Sequence, residues 1–92
     1  MTGTFTDNAE KNRFEYHIGG TFAFADYRRE GAKLYIDKVE APPELRGTGA
    51  AGKLMQHIAD AAKERNLRIV PICSYAVAWM RKNSGHEPPQ PG

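Results

Sequence analysis

The sequence predicts an α/β (α+β) fold: a mixed, mostly antiparallel sheet of about four strands, a long helix after a glycine-rich loop, and a short C-terminal helix. Three observations predict it. Runs of alternating apolar residues flank Gly19-Gly20, which reads as a two-residue hairpin turn. The stretch from Thr48 to Arg65 repeats its apolar residues at helical intervals. A short apolar run, Arg68 to Ile72, then follows the helix, so a right-handed crossover can lay it parallel to the strand before the glycine loop.

Met1 to Asn12 is polar apart from Phe5, so residues 1–12 read as a loose lead-in that orders only if something holds it. From Arg13, Phe14, Tyr16 and Ile18 fall on one side of a strand. Thr21 to Arg28 is the second strand, with Phe22 and Phe24 on one face and Tyr27 on the other, and Gly31 turns the chain again. In the third strand, Lys33 to Glu40, Leu34 and Ile36 share a face while Val39 has the opposite parity. Either a bulge near Asp37-Lys38 restores the alternation, or Val39 packs on the second face of a sheet covered on both sides. Pro42-Pro43 ends the strand.

In the long helix, Ala51, Leu54, Met55, Ile58, Ala61 and Ala62 form the apolar stripe. Asn66 reads as its left-handed stop, with Leu67 a hydrophobic contact just beyond. Ser74 reads as the N-cap of a helix from Tyr75 to Asn83, with Val77, Met80 and Trp79 facing inward. Ser84 to Gly92, with three prolines, reads as a flexible tail.

A chain of 92 residues is expected to form a single domain over residues 1–92, near the lower size limit for a self-sufficient core. The single cysteine, Cys73, excludes an internal disulfide framework or a cysteine-rich zinc site and suits a reducing compartment. With no signal-peptide pattern and no apolar run near the roughly 20 residues that span a bilayer, a cytoplasmic protein is expected, with no membrane partner. A net charge of +2 is compatible with a small polyanionic ligand and too low for a dedicated nucleic-acid binder. A monomer or weak oligomer is expected.

Chemistry concentrates at Glu44 to Leu54, where Gly47, Gly49 and Gly52 precede and enter the helix. Glycine costs stability there unless the backbone needs special dihedrals or a close approach. Bare amides and the dipole at a helix N-terminus suit an anion, with Arg46 adding charge; the other reading is a loop that only turns a tight corner. Cys73 lies between the last strand and the last helix, where helix amides favour a thiolate, although a lone cysteine is also a common small hydrophobe. Glu40 ends the third strand and reads as a general base or a solvated carboxylate. Tyr75 opens the last helix as an acid or as packing.

Together these residues resemble the GNAT superfamily of acetyl-coenzyme A-dependent N-acetyltransferases. Arg46, Gly49 and Ala51 match the fixed positions of its pyrophosphate signature, and Leu54 follows at the usual spacing. Val70 to Tyr75, Val-Pro-Ile-Cys-Ser-Tyr, resembles the hallmark of its compact single-domain branch, often called YjdJ-type. The resemblance covers roughly Arg13 to Asn83 and implies a truncated GNAT fold. It further implies that acetyl-coenzyme A, with no metal, lies between the third and fourth strands against Val39, Arg46, Gly47, Thr48, Gly49, Ala50, Ala51, Gly52 and Lys53. Backbone of the third strand would hold the pantetheine arm and the thioester oxygen. Glu40 would act as base through a water, Tyr75 or Cys73 as acid, and an acetyl-cysteine at Cys73 is a second route. The parts of larger members that wall the acceptor side are missing. The acceptor stays open among a protein or peptide lysine, a polyamine and another small amine.

A non-catalytic acyl-coenzyme A-binding or regulatory module is the alternative, and it would need none of Glu40, Cys73 and Tyr75. Nucleic-acid binding through Arg28, Arg29, Lys33 and the aromatic strands is disfavoured, because a core this small needs the same aromatics. A P-loop phosphohydrolase lacks the Gly-Lys-Ser/Thr ending. His17, His57 and His86 show no metal-ligand spacing.

Overall fold

The computed structural model describes residues 3–83. They form a five-stranded sheet in the order β1-β2-β3-β4-β5, one strand more than the sequence suggests. Strands β1 (Thr4–Asn8), β2 (Arg13–Ile18), β3 (Thr21–Glu30) and β4 (Lys33–Glu40) pair antiparallel in chain order. Helix α1 (Ala50–Glu64) then crosses to β5 (Arg68–Pro71), which runs parallel to β4 and leads into α2 (Ser74–Lys82). The expected tail at 84–92 and the first residues of the lead-in lie outside the described residues.

The extra strand lies within the supposed lead-in, and tertiary contacts hold it. The Phe5 ring stacks on Phe14 at 5.5 Å and on His57 at 5.1 Å. The Tyr27 hydroxyl donates to Asp7 at 2.7 Å, and Arg65 pairs with the other oxygen of that carboxylate at 3.2 Å. With only Phe5 apolar, such a segment carries almost no strand signal of its own.

Alternation in β2 and β3 separates two faces. One carries Phe14, Tyr16, Ala23, Ala25 and Tyr27, all buried under α1. Ala25 lies opposite Phe14 and Ala23 opposite Tyr16, so a small residue faces each large ring and leaves room for Leu54, Met55 and Ile58, each 0 % exposed. Full burial of each such side chain contributes about 1.5–3 kcal/mol. The other face carries Arg13, Glu15, His17, Phe22 and Phe24, and no helix of the described residues covers it on β2 and β3. Phe22 and Phe24 are therefore not core residues, which corrects the expectation that the core needs them.

The bulge is present in β4. Asp26 pairs with Lys38 and Tyr27 with Ile36, so Asp37 is the extra residue, and Val39 returns to the core side opposite Ala25. Arg28 grips Asp37 with two hydrogen bonds, Nε to Oδ2 at 2.8 Å and Nη2 to Oδ1 at 2.9 Å, which fixes the bulge.

Helix α1 begins at Ala50 rather than Thr48, because Gly49 occupies the N-cap with φ +83. Its buried stripe is Ala50, Leu54, Met55, Ile58, Ala59 and Ala62, while Ala51 and Ala61 are half-buried flanks. Asn66, at φ +57, stops it as expected: the Leu67 amide donates to Ala62 O at 2.7 Å and the Asn66 amide to Lys63 O at 3.3 Å. In α2 the N-cap is Cys73, not Ser74, since the Cys73 Sγ accepts from the Ala76 amide at 3.3 Å. Ala76, Trp79 and Met80 face the core along β4 and β5, and Val77 is half-buried.

Candidate active site

β4 and β5 pair only from Lys33–Ile36 to Arg68–Pro71. The amides of Ile72, at 2.9 Å, and Cys73, at 3.3 Å, both donate to Ile36 O, and beyond that point the strands part. β4 runs on to Glu40 with only β3 beside it. A cavity of about 430 Å³ occupies the splay, lined by Val39, Glu40, Ala41, Arg46, Ala51 and Tyr75.

Two more cavities adjoin it through shared walls. One of about 240 Å³ lies over the glycine loop, lined by Gly47, Gly49, Ala50 and Gly52 and sharing Ala41, Arg46, Ala51 and Tyr75 with the splay. The other, of about 340 Å³, opens on the uncovered face and shares Glu40, Ala41 and Arg46.

The loop between β4 and α1 is a run of tight turns. Pro43–Leu45 is a 3₁₀ turn whose Leu45 side chain is buried at 6 % exposure, anchoring the loop to the core. The Thr48 amide donates to Leu45 O, and the Ala50 amide to Thr48 Oγ1 at 3.2 Å. Among the described residues, the amides of Gly47, Gly49, Ala51 and Gly52 have no protein acceptor. Gly47 at φ +80 and Gly49 at φ +83 hold a backbone region that side chains disfavour, so glycine is required there. Gly52 differs: a Cβ would meet the Tyr75 hydroxyl at 3.7 Å and Trp79 Nε1 at 3.8 Å, ordinary contact. Free amides at a helix start beside the exposed Arg46 form a cradle for an anion.

The sequence-predicted residues divide accordingly. Val39, Arg46, Gly47, Gly49, Ala50, Ala51 and Gly52 all line the splay or the loop cavity; Thr48 and Lys53 line none of the three cavities. Arg46 borders all three, its Nε bonded to Ala41 O at 3.2 Å. Glu40 and Tyr75 meet at the splay cavity, whereas Cys73 lines none of the three and its thiol caps its own helix. The Glu40 carboxylate pairs with Lys38 at 3.0 Å. Tyr75 is 40 % exposed, and partial burial of its hydroxyl, then the neighbouring Cys73, push its pKa up, so at neutral pH it keeps its proton. Ala41, on all three walls, carries no chemical signal in the sequence. Phe22 and Phe24 could have been assigned to the open face from their register against Phe14 and Tyr16.

A mixed sheet splayed beside the N-terminus of its crossover helix, with a glycine loop at the opening, defines a domain of the acetyltransferase class. A family model described as GCN5-related N-acetyl-transferase matches residues 13–87, and the chain belongs to that family. Among solved structures, the chain is similar to a GCN5-like protein from Staphylococcus aureus, by its description a candidate N-acetyltransferase. Identity is 25 %, the match covers 90 % of this chain and 82 % of that one, and the TM-score is 0.71. It also shares its fold with a Clostridium acetobutylicum protein crystallised with acetyl-CoA and described as a predicted acetyltransferase, at 20 % identity and a TM-score of 0.54. That match covers 83 % of this chain and 59 % of the other. No curated protein matches. Among the described residues, no group of His, Cys, Asp and Glu is arranged to hold a metal, and no helix is long and apolar enough to cross a membrane.

Proposed function

We propose that this chain is a single-domain N-acetyltransferase of the compact branch of its family, moving an acetyl group from acetyl-coenzyme A to an amine. One observation carries the reading. Two left-handed glycines, amides without an acceptor among the described residues, and Arg46 line a cavity that shares walls with the splay bordered by Glu40 and Tyr75. The residues fit the cosubstrate: amides of Gly47 to Gly52 and the Arg46 guanidinium suit its pyrophosphate, and the unpaired edge of β4 at Val39 suits its amide-bearing arm. Acetyl-coenzyme A supplies an activated thioester; the chain supplies position and proton handling.

In that role Glu40, directly or through a water, accepts a proton from the incoming ammonium, since only the neutral amine attacks. Tyr75, protonated at neutral pH, offers its proton to the departing sulfur. Over the reaction the N–C bond forms as the C–S bond breaks. The ammonium loses two protons, one to solvent and one that ends on the thiol. Cys73 acts as a positioning residue, because its thiol fixes the first turn of α2, which carries Tyr75. Direct transfer needs nothing more from it.

Titration calorimetry with acetyl-coenzyme A tests the assignment. Gly52→Asp is a sharper probe than a change at Gly47 or Gly49, since it adds a negative charge where the fold has room for a Cβ. Binding at least about tenfold weaker in both Gly52→Asp and Arg46→Ala is expected, and unchanged binding would sink the loop as the site. Cys73→Ser, which keeps a capping atom, is expected to retain turnover within a few-fold; abolished turnover in that variant would favour the acetyl-cysteine route.

A further inference from the structure

We propose that the cavity on the uncovered face receives the acceptor, and that the acceptor is a monoamine with a flat or short apolar body. The proposal rests on the acetyltransferase reading, from which it takes only that the acyl donor fills the splay. The cavity of about 340 Å³ then remains as the adjoining space. It is at the small end of the roughly 300–1,000 Å³ that small-molecule sites span. Phe22, Phe24, Pro42 and Pro43 form its apolar walls, and Glu40 and Arg46 stand at its border with the splay.

The aromatic wall is braced by an unusual device. Glu15 is only 6 % exposed although no helix covers its face. Its carboxylate holds Arg13 at 2.7 Å and His17 at 2.9 Å. Arg13 in turn lies 5.4 Å from the centroid of Phe22 and 5.2 Å from that of Phe24, and the His17 ring stacks on Phe22 at 4.8 Å. Burying a carboxylate is unfavourable unless its partners satisfy it. Here the two partners of Glu15 also fix the orientation of the two rings that line the cavity.

Charge limits how many ammonium groups an acceptor carries. Glu40 is the one carboxylate among the lining residues, and it is shared with Lys38 at 3.0 Å, while Arg46 adds a positive charge at the same border. Among the lining residues a second ammonium finds no further carboxylate and meets Arg46. A ring or short alkyl body instead gains the faces of Phe22 and Phe24 and leaves its single nitrogen beside Glu40.

The test is a ¹⁵N NMR titration of the full chain, with free coenzyme A present, by 2-phenylethylamine, spermidine and Nα-acetyl-lysine amide. Shifts centred on Phe22, Phe24 and Ala41 are expected, with phenylethylamine binding at least about tenfold tighter than the other two. Phe24→Ala should weaken it by about tenfold or more and Phe24→Leu by less, with the coenzyme A Kd unchanged within about twofold. Spermidine or the lysine compound binding as tightly, shifts elsewhere, no amine binding, or an indifferent Phe24→Ala variant would each overturn the proposal. If coenzyme A fails to bind while phenylethylamine still reports on this cavity, the acetyltransferase reading falls and the amine-site assignment stands.

Discussion

The two faces of the sheet are built on different physics. Under α1, the face of Phe14, Tyr16, Ala23 and Ala25 is held by volume: side chains at or near 0 % exposure interlock with Leu54, Met55 and Ile58. The opposite face is held by charge pairs and ring contacts, among them Arg13–Glu15, Arg28–Asp37, Lys38–Glu40, and Arg28 over the Tyr35 ring at 4.7 Å. The exposed pairs among these, Arg28–Asp37 and Lys38–Glu40, contribute little to stability. The difference teaches that stability is concentrated on one face, which leaves the other free to carry recognition.

Truncation should expose this asymmetry most strongly. Leu54→Ala removes a fully buried side chain and is expected to cost about 3 kcal/mol, whereas Phe22→Ala, half-buried on the open face, should cost less than about 1 kcal/mol. Chemical denaturation of both variants measures the ratio, and equal losses would erase the distinction.

Glu15 is the exception that sharpens it, being buried on the charged face. Burial alone raises its carboxyl, but hydrogen bonds from His17, Arg13 and Asn8 outweigh that and bring its pKa from 4.5 down to about 2. Because the folded value is the lower one, the stabilisation is complete above about pH 4.5 and is lost as pH falls towards 2. Glu15→Gln should cost about 1–2 kcal/mol at neutral pH, and the gap from wild type should close over that acid window. A gap that ignores pH would mean that Glu15 acts by packing.

A smaller effect is expected at the seam between β1 and the core. Tyr27→Phe removes the hydroxyl that holds Asp7 and should cost about 1 kcal/mol, with faster amide exchange confined to β1. Burial and then the Asp7 carboxylate raise the Tyr27 hydroxyl to about 12. Its contribution is therefore full below about pH 10 and fades as pH rises through 12. Global destabilisation would show that β1 is integral to the core.

Much of this was legible in the sequence where local chemistry dictates geometry. The parity of Val39 left a bulge near Asp37 as one of two readings, and the bulge is the one present; Asn66 announced the helix stop, and the two hairpins followed from Gly19-Gly20 and Gly31. The loop glycines and Arg46 do line adjoining cavities, and Glu40 and Tyr75 border one cavity together. Part of what stayed hidden depends on partners distant in sequence. β1 exists through Phe5, Asp7, Tyr27 and Arg65, and no local pattern joins them. The half-buried place of Phe22 and Phe24 on the open face follows from Ala23 and Ala25 taking the places beneath α1, which hairpin register reveals and aromatic content alone does not. The turn of the Cys73 thiol onto the Ala76 amide is likewise a detail of helix entry.

The splay also bears on how the chain opens. β2, β3 and β4 are joined by short turns and can form early, while β5 must close a long crossover to gain a four-residue ladder. A ladder of four residues is the shortest in the sheet and the least costly to part. A molecule lying along the unpaired edge of β4 takes the position of the ladder that is missing from Asp37 to Glu40. Where it also touches β5 or α2, its binding free energy adds to the cost of parting β4 from β5.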